Sequence, residues 1–467
     1  MKTDPFPHVR VRFAPSPTGW MHLGNARIAL INALFAKKYQ GTFILRIEDT
    51  DQSRNVDPRG VRILEDLKWL QISIDEGPYY QSERHELYQS YLQRLIDQQL
   101  VYRCFETNEE LELKRQRQLA RGLPPKYDRA GLKLSTSEVA EKLAAGTPFV
   151  WRLRLPSKTV SINDIAHGTM TFDLEHFSDV AVTRQDGSCT FLFANCIDDI
   201  EMKVSHVLRG ADHLTNTAVQ AALYELLDAP KPTFYHMPLV CNAQGKKLSK
   251  REFGSSLEDF KGAGFIAEGL CNYLAIIGSS FAQEIMDFEE LAHALHFDES
   301  SPKGCLQFDP EKLRWVDHKW LQRLSLEEVV ARALPFFERA YPAAKLSNDL
   351  LMRLIGPIKS DLTTLSDAIT MLTFFFVTPT IEPALLEAHA ITAFRPLFAQ
   401  VLEAPITDGE ALLAAIKAAT KAQGQPLKEA LTLVRIALTG EGQGIGIADL
   451  FAMLGLEEVR RRMAVLA

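Results

Sequence analysis

Long apolar runs are missing from this chain of 467 residues. No stretch reaches the roughly 18 uncharged apolar residues that a membrane span needs, so no membrane partner is expected. The first residues, MKTDPFPHVRVRF, contain no apolar leader core, and we therefore expect a cytoplasmic protein. Positive charge is not in excess either, because the formal net charge is −7. Any binding of nucleic acid must therefore use local basic patches.

Cysteine is scarce. None of the six cysteines belongs to a C-x-x-C pair or stands beside a histidine at metal-ligand spacing. Without a leader sequence, buried reduced thiols are favoured over a disulfide framework, and no protein-held metal site is expected. The six positions are Cys104, Cys189, Cys196, Cys241, Cys271 and Cys305.

The composition that is present, 46 % hydrophobic and 24 % charged residues, is typical of a globular protein of two to four domains. Residues 8–15 alternate and are rich in Val, which predicts a strand. Residues 22–40 have apolar positions at helical spacing, with Gly41 as a stop, and residues 42–51 predict a second strand that ends in acids. This β-α-β pattern indicates an open sheet that binds ligands at the carboxyl ends of its strands.

The loop before the helix, SPTGW, and the basic run GKKLSKR (245–251) are two candidates for binding phosphate. A helix N-terminus carries unpaired N–H groups that suit phosphate, and His22 would lie in the first turn, where its neutral form can donate a hydrogen bond. Taken alone, His22 is better interpreted as a surface histidine that caps a turn. The basic run, taken alone, is either a solvated surface or a polyphosphate-binding loop.

Together these segments match a known family. The segment PSPTGWMHLGNAR (15–27) resembles the first signature of class I aminoacyl-tRNA synthetases, in the form found in glutamyl and glutaminyl enzymes, and KLSKR (247–251) resembles the second. Four more segments follow the family order: RIEDTD, DEGPYYQSER, HVLRGADH and FYHMPLV. The resemblance covers essentially the whole chain and is strongest to the bacterial type of glutamyl-tRNA synthetase.

The resemblance implies ATP-dependent ligation of L-glutamate to tRNA(Glu) through a glutamyl-adenylate, with release of AMP and pyrophosphate. The implied cofactors are ATP and Mg²⁺, and the implied protein is a monomer. One alternative is a glutaminyl-tRNA synthetase, and another is a specialised duplicate that also or instead charges tRNA(Gln) with glutamate. A catalytically silent RNA-binding relative is disfavoured because His22, Lys247 and Lys250 are all present.

The resemblance also assigns roles to individual residues, which we state as predictions. The catalytic residues are His22, Lys247 and Lys250. The ATP-binding residues are Gly19, His22, Gly24, Met237, Leu239, Lys247, Ser249, Lys250 and Arg251. The glutamate-binding residues are Arg12, Ala14, Ser16, Glu48, Phe191, Asn195 and Arg209. Arginines suit the two carboxylates of glutamate, and Glu48 suits its ammonium group.

Two positions depart from the family pattern. Phe191 stands where the family usually has Tyr, and Ala211 stands where it usually has Glu. The first change removes a hydroxyl that is expected to contact the substrate side chain. Both changes concern affinity for the amino acid and leave the phosphate chemistry untouched.

The implied fold is an α/β Rossmann-like nucleotide domain with an inserted α/β domain, followed by all-α connector and anticodon-binding domains. The nucleotide domain is split between 1–100 and 193–240, and the insertion, 101–192, would bind the tRNA acceptor stem through its basic run at 112–133. Relatives often hold zinc in this insertion with cysteines, but this chain has only Cys104 there, so no zinc is expected.

In the rest of the chain, apolar residues recur at helical spacing. Residues 241–324 would form the connector that carries the KLSKR loop, and residues 325–467 an α-helical anticodon-binding region. Ser325 and Glu328 predict a capping box that opens a helix. Because glutaminyl enzymes read the anticodon with β-barrels, a helical C-terminal third favours the glutamyl type.

Overall fold

The structure, a computed structural model, describes residues 8–51, 55–57, 59–246 and 256–467. They form two compact units, the first from Met1–Asp259 with Cys271–Pro310 and the second from Phe260–Leu270 with Glu311–Ala467. The strands of the described residues are β1 (Arg10–Phe13), β2 (Thr42–Ile47), β3 (Glu76–Tyr80), β4 (Val101–Cys104), β5 (Val150–Leu153), β6 (Thr159–Asp164), β7 (Gly168–Asp173), β8 (His206–Gly210), β9 (Thr233–Met237), β10 (Leu239–Cys241) and β11 (Cys305–Gln307).

The α-helices of the described residues begin and end as follows: α1 (Leu23–Lys38), α2 (Val61–Trp69), α3 (His85–Asp97), α4 (Asn108–Ala120), α5 (Thr136–Ala144), α6 (Phe191–Glu201), α7 (Leu214–Leu226), α8 (Leu257–Gly262), α9 (Ala267–Ile276), α10 (Phe288–Ala294), α11 (Pro310–Arg323), α12 (Leu326–Ala340), α13 (Asn348–Ile355), α14 (Asp367–Met371), α15 (Thr373–Phe376), α16 (Pro383–Ala388), α17 (Ile391–Glu403), α18 (Gly409–Gln423), α19 (Leu427–Thr439), α20 (Ile447–Leu454) and α21 (Leu456–Met463).

The predicted β-α-β unit is confirmed as β1, α1 and β2. Strands β1 and β2 pair in parallel, with Arg12 opposite Ile44. Gly41 is required between α1 and β2, because a Cβ atom there would lie 2.5 Å from the carbonyl oxygen of Val9. Helix α1 packs against β1, β2 and β8 and also against α10, which explains why it is buried over most of its length.

Two sheets meet at β1 in the first unit. One has the order β1-β2-β3, and the other has the order β7-β6-β9-β8. They adjoin where the N–H of Ser205 donates to the carbonyl oxygen of Arg10 over 3.0 Å. Strands β1 and β2 are parallel, and so are β8 and β9. Residues at the carboxyl ends of all four strands line one cavity, which places these ends on the same side: Arg12, Glu48, Arg209 and Met237.

The expectation that all six cysteines are free thiols is wrong for one pair. Cys241 and Cys305 form a disulfide with their Cα atoms 6.1 Å apart. No local pattern indicated this disulfide, because the disulfide depends on the parallel pairing of β10 with β11, and 64 residues separate the two cysteines. The other four cysteines are buried and form no disulfide with the described residues.

The second unit is helical. All regular elements between 311 and 467, a range that the structure describes without a gap, are helices. The predicted capping box is confirmed at the start of α12, where Ser325 N–H donates to Glu328 over 2.8 Å and Glu328 N–H donates to Ser325 over 3.2 Å. Within the described ranges, no helix is both long enough and apolar enough to cross a membrane.

Candidate functional site

A cavity of about 460 Å³ lies at the carboxyl ends of β1 and β8, beside the start of α1. Its wall contains eleven of the predicted site residues: Arg12, Ala14, Ser16, His22, Gly24, Glu48, Phe191, Asn195, Arg209, Met237 and Leu239. Gly19 does not line the cavity. The predictions for Lys247, Ser249, Lys250 and Arg251 lie outside the described residues.

His22 is the N-cap of α1, one residue before the helix begins. Its Nδ1 accepts a hydrogen bond from the backbone N–H of Asn25 over 3.2 Å. An imidazole whose Nδ1 accepts carries its proton on Nε2, and that N–H is the group suited to a phosphoryl oxygen. Gly24 leaves room for the ring, because a Cβ atom there would lie 3.1 Å from it. The capping role and the proposed phosphate contact are therefore compatible.

Below the residues that line the cavity lies a set of paired charges, here called the floor, of which only Arg12 and Glu48 reach the wall. Arg12 Nε donates to Asp199 over 3.1 Å, and Arg46 Nη1 donates to the same carboxylate over 2.7 Å. Arg46 Nη2 donates to Glu48 over 3.2 Å, and its Nε lies 3.5 Å from Asp198. Burial lowers the pKa of Arg46, but the three carboxylates raise it by more, so its pKa is raised overall. Arg46 is therefore the cation that balances the three buried carboxylates.

Two amide side chains connect Glu48 with Arg209 by hydrogen bonds. Asn195 Nδ2 donates to Glu48 over 2.6 Å, and Gln220 Nε2 donates to Asn195 over 3.0 Å. Gln220 accepts from Arg209 Nη2 over 2.7 Å. Burial raises the pKa of Glu48, and Arg46 offsets part of that rise. Burial and the nearby Arg12 lower the pKa of Arg209 to about 10, so its guanidinium is cationic at neutral pH.

A second chain of hydrogen bonds holds Arg209 from behind. Asp164 lies 2.7 Å from Nδ1 of His236, whose Nε2 lies 2.7 Å from Thr217 Oγ1. Hydrogen bonds lower the pKa of Asp164 to about 2 despite its burial, so it is a carboxylate and His236 must donate to it from Nδ1. The hydroxyl of Thr217 has two acceptors within reach, Nε2 of His236 at 2.7 Å and the carbonyl oxygen of His213 at 3.2 Å, and the shorter contact favours Nε2. Its oxygen accepts from Arg209 Nη2 over 2.6 Å, which holds Arg209 in its orientation.

Several of these residues were missed from the sequence. They share burial below the cavity wall and partners that are distant in the chain: Arg46, Asp164, Asp199, Thr217, Gln220 and His236. One local signal was available, because Thr217 and Gln220 are polar and lie three residues apart on a helix that is otherwise apolar there. The other pairings depend on tertiary structure.

Comparison with known proteins agrees with this geometry. A family model described as tRNA synthetases class I (E and Q), catalytic domain, matches residues 8–315. The chain belongs to this synthetase family. A second model, an anticodon binding domain, matches residues 328–466 of the synthetase. The resemblance identified from the sequence is confirmed.

Similar proteins match the synthetase over nearly its whole length. A glutamate–tRNA ligase of Nostoc sp. is 38 % identical, with 98 % of this chain and 99 % of the relative covered. A glutamate–tRNA ligase of Bacillus subtilis is 35 % identical, with 97 % and 99 % covered. A crystal structure of a glutamate tRNA ligase from Elizabethkingia meningosepticum in complex with its amino acid has a TM-score of 0.86 at 30 % identity, with 98 % and 99 % covered.

The two departures from the family pattern lie in different settings. Phe191 lines the cavity of the synthetase, and its ring centroid is 5.8 Å from that of His213. Burial, with Arg209 nearby, lowers the pKa of His213 to about 4, so Phe191 faces a neutral imidazole. Ala211 is absent from the residues that line the cavity. Of the two, Phe191 is the one positioned to affect a bound substrate.

Proposed function

We propose that this chain ligates L-glutamate to tRNA(Glu), using ATP to form a glutamyl-adenylate and releasing AMP and pyrophosphate. The observation that carries the proposal is the joint position of a buried, paired set of arginines and carboxylates and the N-terminus of α1 in one cavity. The names of the similar proteins support glutamate over glutamine as the amino acid. A glutaminyl enzyme is therefore disfavoured.

Glutamate has two carboxylates and one ammonium group, and the cavity offers a counter-charge to each. Arg12 and Arg209 are fixed cations for the carboxylates, and Glu48 is an anion for the ammonium group. Each of the three is already held by another protein group, through Asp199, Thr217 and Arg46. Binding therefore requires little reorganisation of the protein, which is what favours affinity and correct placement of the reacting carboxylate.

The activation step joins a glutamate carboxylate oxygen to the α-phosphorus of ATP and breaks the bond to pyrophosphate. His22 is proposed to donate from Nε2 to a phosphoryl oxygen, and Met237 and Leu239 to contact the adenine. Lys247 and Lys250 are proposed to follow the leaving pyrophosphate as flexible point charges, and Ser249 and Arg251 are proposed to contact ATP. In the next step the acyl group passes to the terminal ribose of the tRNA, and AMP leaves.

Mg²⁺ is proposed to enter as part of the substrate, bound to the phosphates of ATP. In the part of the chain that the structure describes, no three His, Cys, Asp or Glu side chains are grouped as metal ligands. The protein residues that would face the ATP phosphates are instead hydrogen-bond donors and cations. The absence of protein-bound zinc remains a prediction for metal analysis of the purified chain.

The tRNA is proposed to contact two parts of the chain. The α-helical region 325–467 would read the anticodon, in line with the anticodon binding domain matched at 328–466. The insertion 101–192 would hold the acceptor stem, with 241–324 as connector. Within the basic run of the insertion, Lys114 and Arg129 already pair with Asp128 and Asp179, so Arg117 and Arg121 are the better candidates for phosphate contacts.

The proposal also includes that the protein is a monomer and is located in the cytoplasm.

The test is exchange between ATP and labelled pyrophosphate, measured with glutamate and with glutamine, each with and without tRNA. We expect exchange with glutamate and not with glutamine, and transfer of labelled glutamate to tRNA(Glu). Running the transfer with tRNA(Gln) as well distinguishes a strict enzyme from a duplicate with wider tRNA specificity. Exchange that occurs with neither amino acid, even with both tRNAs present, would contradict the proposal.

A further inference from the structure

A second cavity, of about 280 Å³, lies in the first unit beside α1 and α9 and is separate from the one described above. Aromatic rings form part of its wall, with the centroids of Tyr235 and Phe297 6.2 Å apart in an edge-to-face arrangement. Hydroxyl groups form another part, and those of Ser279 and Ser280 make no hydrogen bond to any residue in the described part of the chain. The wall thus combines apolar rings with hydroxyl groups that can donate hydrogen bonds.

Arg27 is the charged residue in this wall. Its side chain is buried, with 4 % of the residue exposed, and its Nε donates to the carbonyl oxygen of Leu274 over 3.2 Å. That bond uses one of the five N–H groups of a guanidinium. The Nη groups donate to no atom of the described residues and are not enclosed by packed protein, so they face open space.

Among the described residues, no carboxylate pairs with this cation. Neither Asp nor Glu lines the cavity among the described residues, and Arg27 forms no ion pair with any of them. Burial lowers the pKa of Arg27, and Tyr235 offsets part of that effect. A buried cation without a partner is strongly unfavourable, which contrasts with Arg12 of the first cavity and its partner Asp199. The described residues supply no counter-charge for Arg27, and the cavity beside it leaves room for one from a bound anion.

Arg27 contributes to the walls of both cavities, so the position of its charged end matters. Leu274 and Tyr235, which interact with that end, lie on α9 and β9, and Tyr235 lines the second cavity and not the first. The guanidinium is therefore at the second cavity, and the first cavity meets the aliphatic part of the side chain.

We infer that the second cavity is a binding site for a small anion, whose phosphate or carboxylate group pairs with the Nη groups of Arg27 and accepts from Ser279 or Ser280. A planar guanidinium binds either kind of group through two parallel hydrogen bonds. The volume is near the lower end of the range for ligand pockets, about 300–1,000 Å³, so the ligand is small. This site does not depend on the ligase reaction proposed above.

Isothermal titration calorimetry on the intact chain tests the inference, with inorganic phosphate and acetate titrated separately. The first cavity is filled beforehand with a stable analogue of glutamyl-adenylate, whose own binding is measured in the same way and reports on the proposed function by itself. We expect one anion to bind with the analogue in place, and the tighter of the two probes identifies the chemical group. If neither probe binds, the inference is overturned.

Three variants locate the bound anion. Arg27→Met should weaken binding by about tenfold or more, because it removes a charged hydrogen-bond donor. Ser280→Phe retains Arg27 but fills the cavity, and it should weaken binding as well. Lys303→Met removes an exposed cation next to the cavity wall and is the matched control, with unchanged binding expected. Retention of full affinity in both Arg27→Met and Ser280→Phe would place the anion elsewhere and overturn the inference.

Discussion

The two cavities described above both adjoin buried arginines, but Arg12 and Arg27 have their charges balanced differently. At the first cavity, Arg12 pairs with Asp199, which also accepts from Arg46 behind the wall, and Arg46 pairs with Glu48. At the second cavity, Arg27 has one hydrogen bond to the described residues, to a backbone carbonyl. Arg12 thus has its counter-charge before a substrate arrives, whereas Arg27 has none among the described residues.

This difference separates two ways of recognising an anion. Where the protein supplies the counter-charge, as for Arg12, the substrate gains from a cation that is already oriented, and the folded state stays stable without it. Where the protein supplies none, as for Arg27, binding also relieves an unfavourable buried charge. The two arrangements predict opposite effects when the arginine is replaced by an apolar side chain.

Arg46→Met is expected to have the largest effect. It leaves Asp199, Asp198 and Glu48 buried without their shared cation, and removing one partner of a buried ion pair costs about 3–5 kcal/mol. The measurement is the free energy of unfolding from urea denaturation. Arg59→Met, which breaks an exposed pair with Glu83, is the control and should cause no comparable loss. Equal losses in the two variants would show that the floor of the first cavity is not specially dependent on Arg46.

Thr217→Val tests whether the hydrogen-bond chain behind Arg209 positions that residue. The change keeps the size of the side chain but removes the hydroxyl between His236 and Arg209. Loss of a hydrogen bond to a charged group should raise the KM for glutamate by about tenfold and leave the KM for ATP unchanged. Thr217→Ser keeps the hydroxyl and should behave as the unaltered chain. A parallel rise of both KM values, or no rescue by Ser, would indicate a general structural role.

Phe191→Tyr should have a smaller effect in the opposite direction. The added hydroxyl would face the cavity and help to hold the side-chain carboxylate of glutamate, lowering its KM by about threefold to tenfold. The control is Phe193→Tyr, at a fully buried position outside the cavity wall, which should lose thermal stability without a gain for glutamate. If Phe191→Tyr behaves like that control, Phe191 does not contact the substrate.

Arg27→Met should have the smallest effect on stability and is the sharpest contrast to Arg46→Met. Because Arg27 has no carboxylate partner among the described residues, an apolar replacement should leave the free energy of unfolding unchanged or increase it. Urea denaturation in buffer without phosphate or carboxylate anions is the measurement. A loss of more than about 1 kcal/mol, a typical value for a destabilising substitution, would show that the cation is compensated in a way that the contacts do not reveal.

The sequence was sufficient for elements whose pattern is local. The β1-α1-β2 unit followed from alternation and helical spacing, and the capping box of Ser325 and Glu328 followed from two residues at fixed separation. Pocket residues such as Arg12 and Glu48 were identified because they lie in segments with a recognisable order of residues.

What could not be predicted depends on contacts between distant segments. The pairing of Arg12 with Asp199 spans 187 residues, and that of Cys241 with Cys305 spans 64. No periodicity or spacing within either segment indicates such a partner. For the same reason, Arg46 had no predicted role although it belongs to the RIEDTD segment. Its role is to pair with three carboxylates, which come from two different segments of the chain.

The distance in the chain between Arg46 and its partners also has a consequence during synthesis. Asp199 is 153 residues further along than Arg46, so a ribosome that adds about 5–20 residues per second makes it roughly 8–30 s later. For that interval Arg12 and Arg46 lack Asp199, although Glu48, the other partner of Arg46, has already been made. A buried floor cannot close around unpaired charges, so the amino-terminal strands must stay hydrated until α6 emerges. We therefore expect nascent chains that end before 199 to remain sensitive to protease across β1 and β2, and longer ones to become protected in a single step.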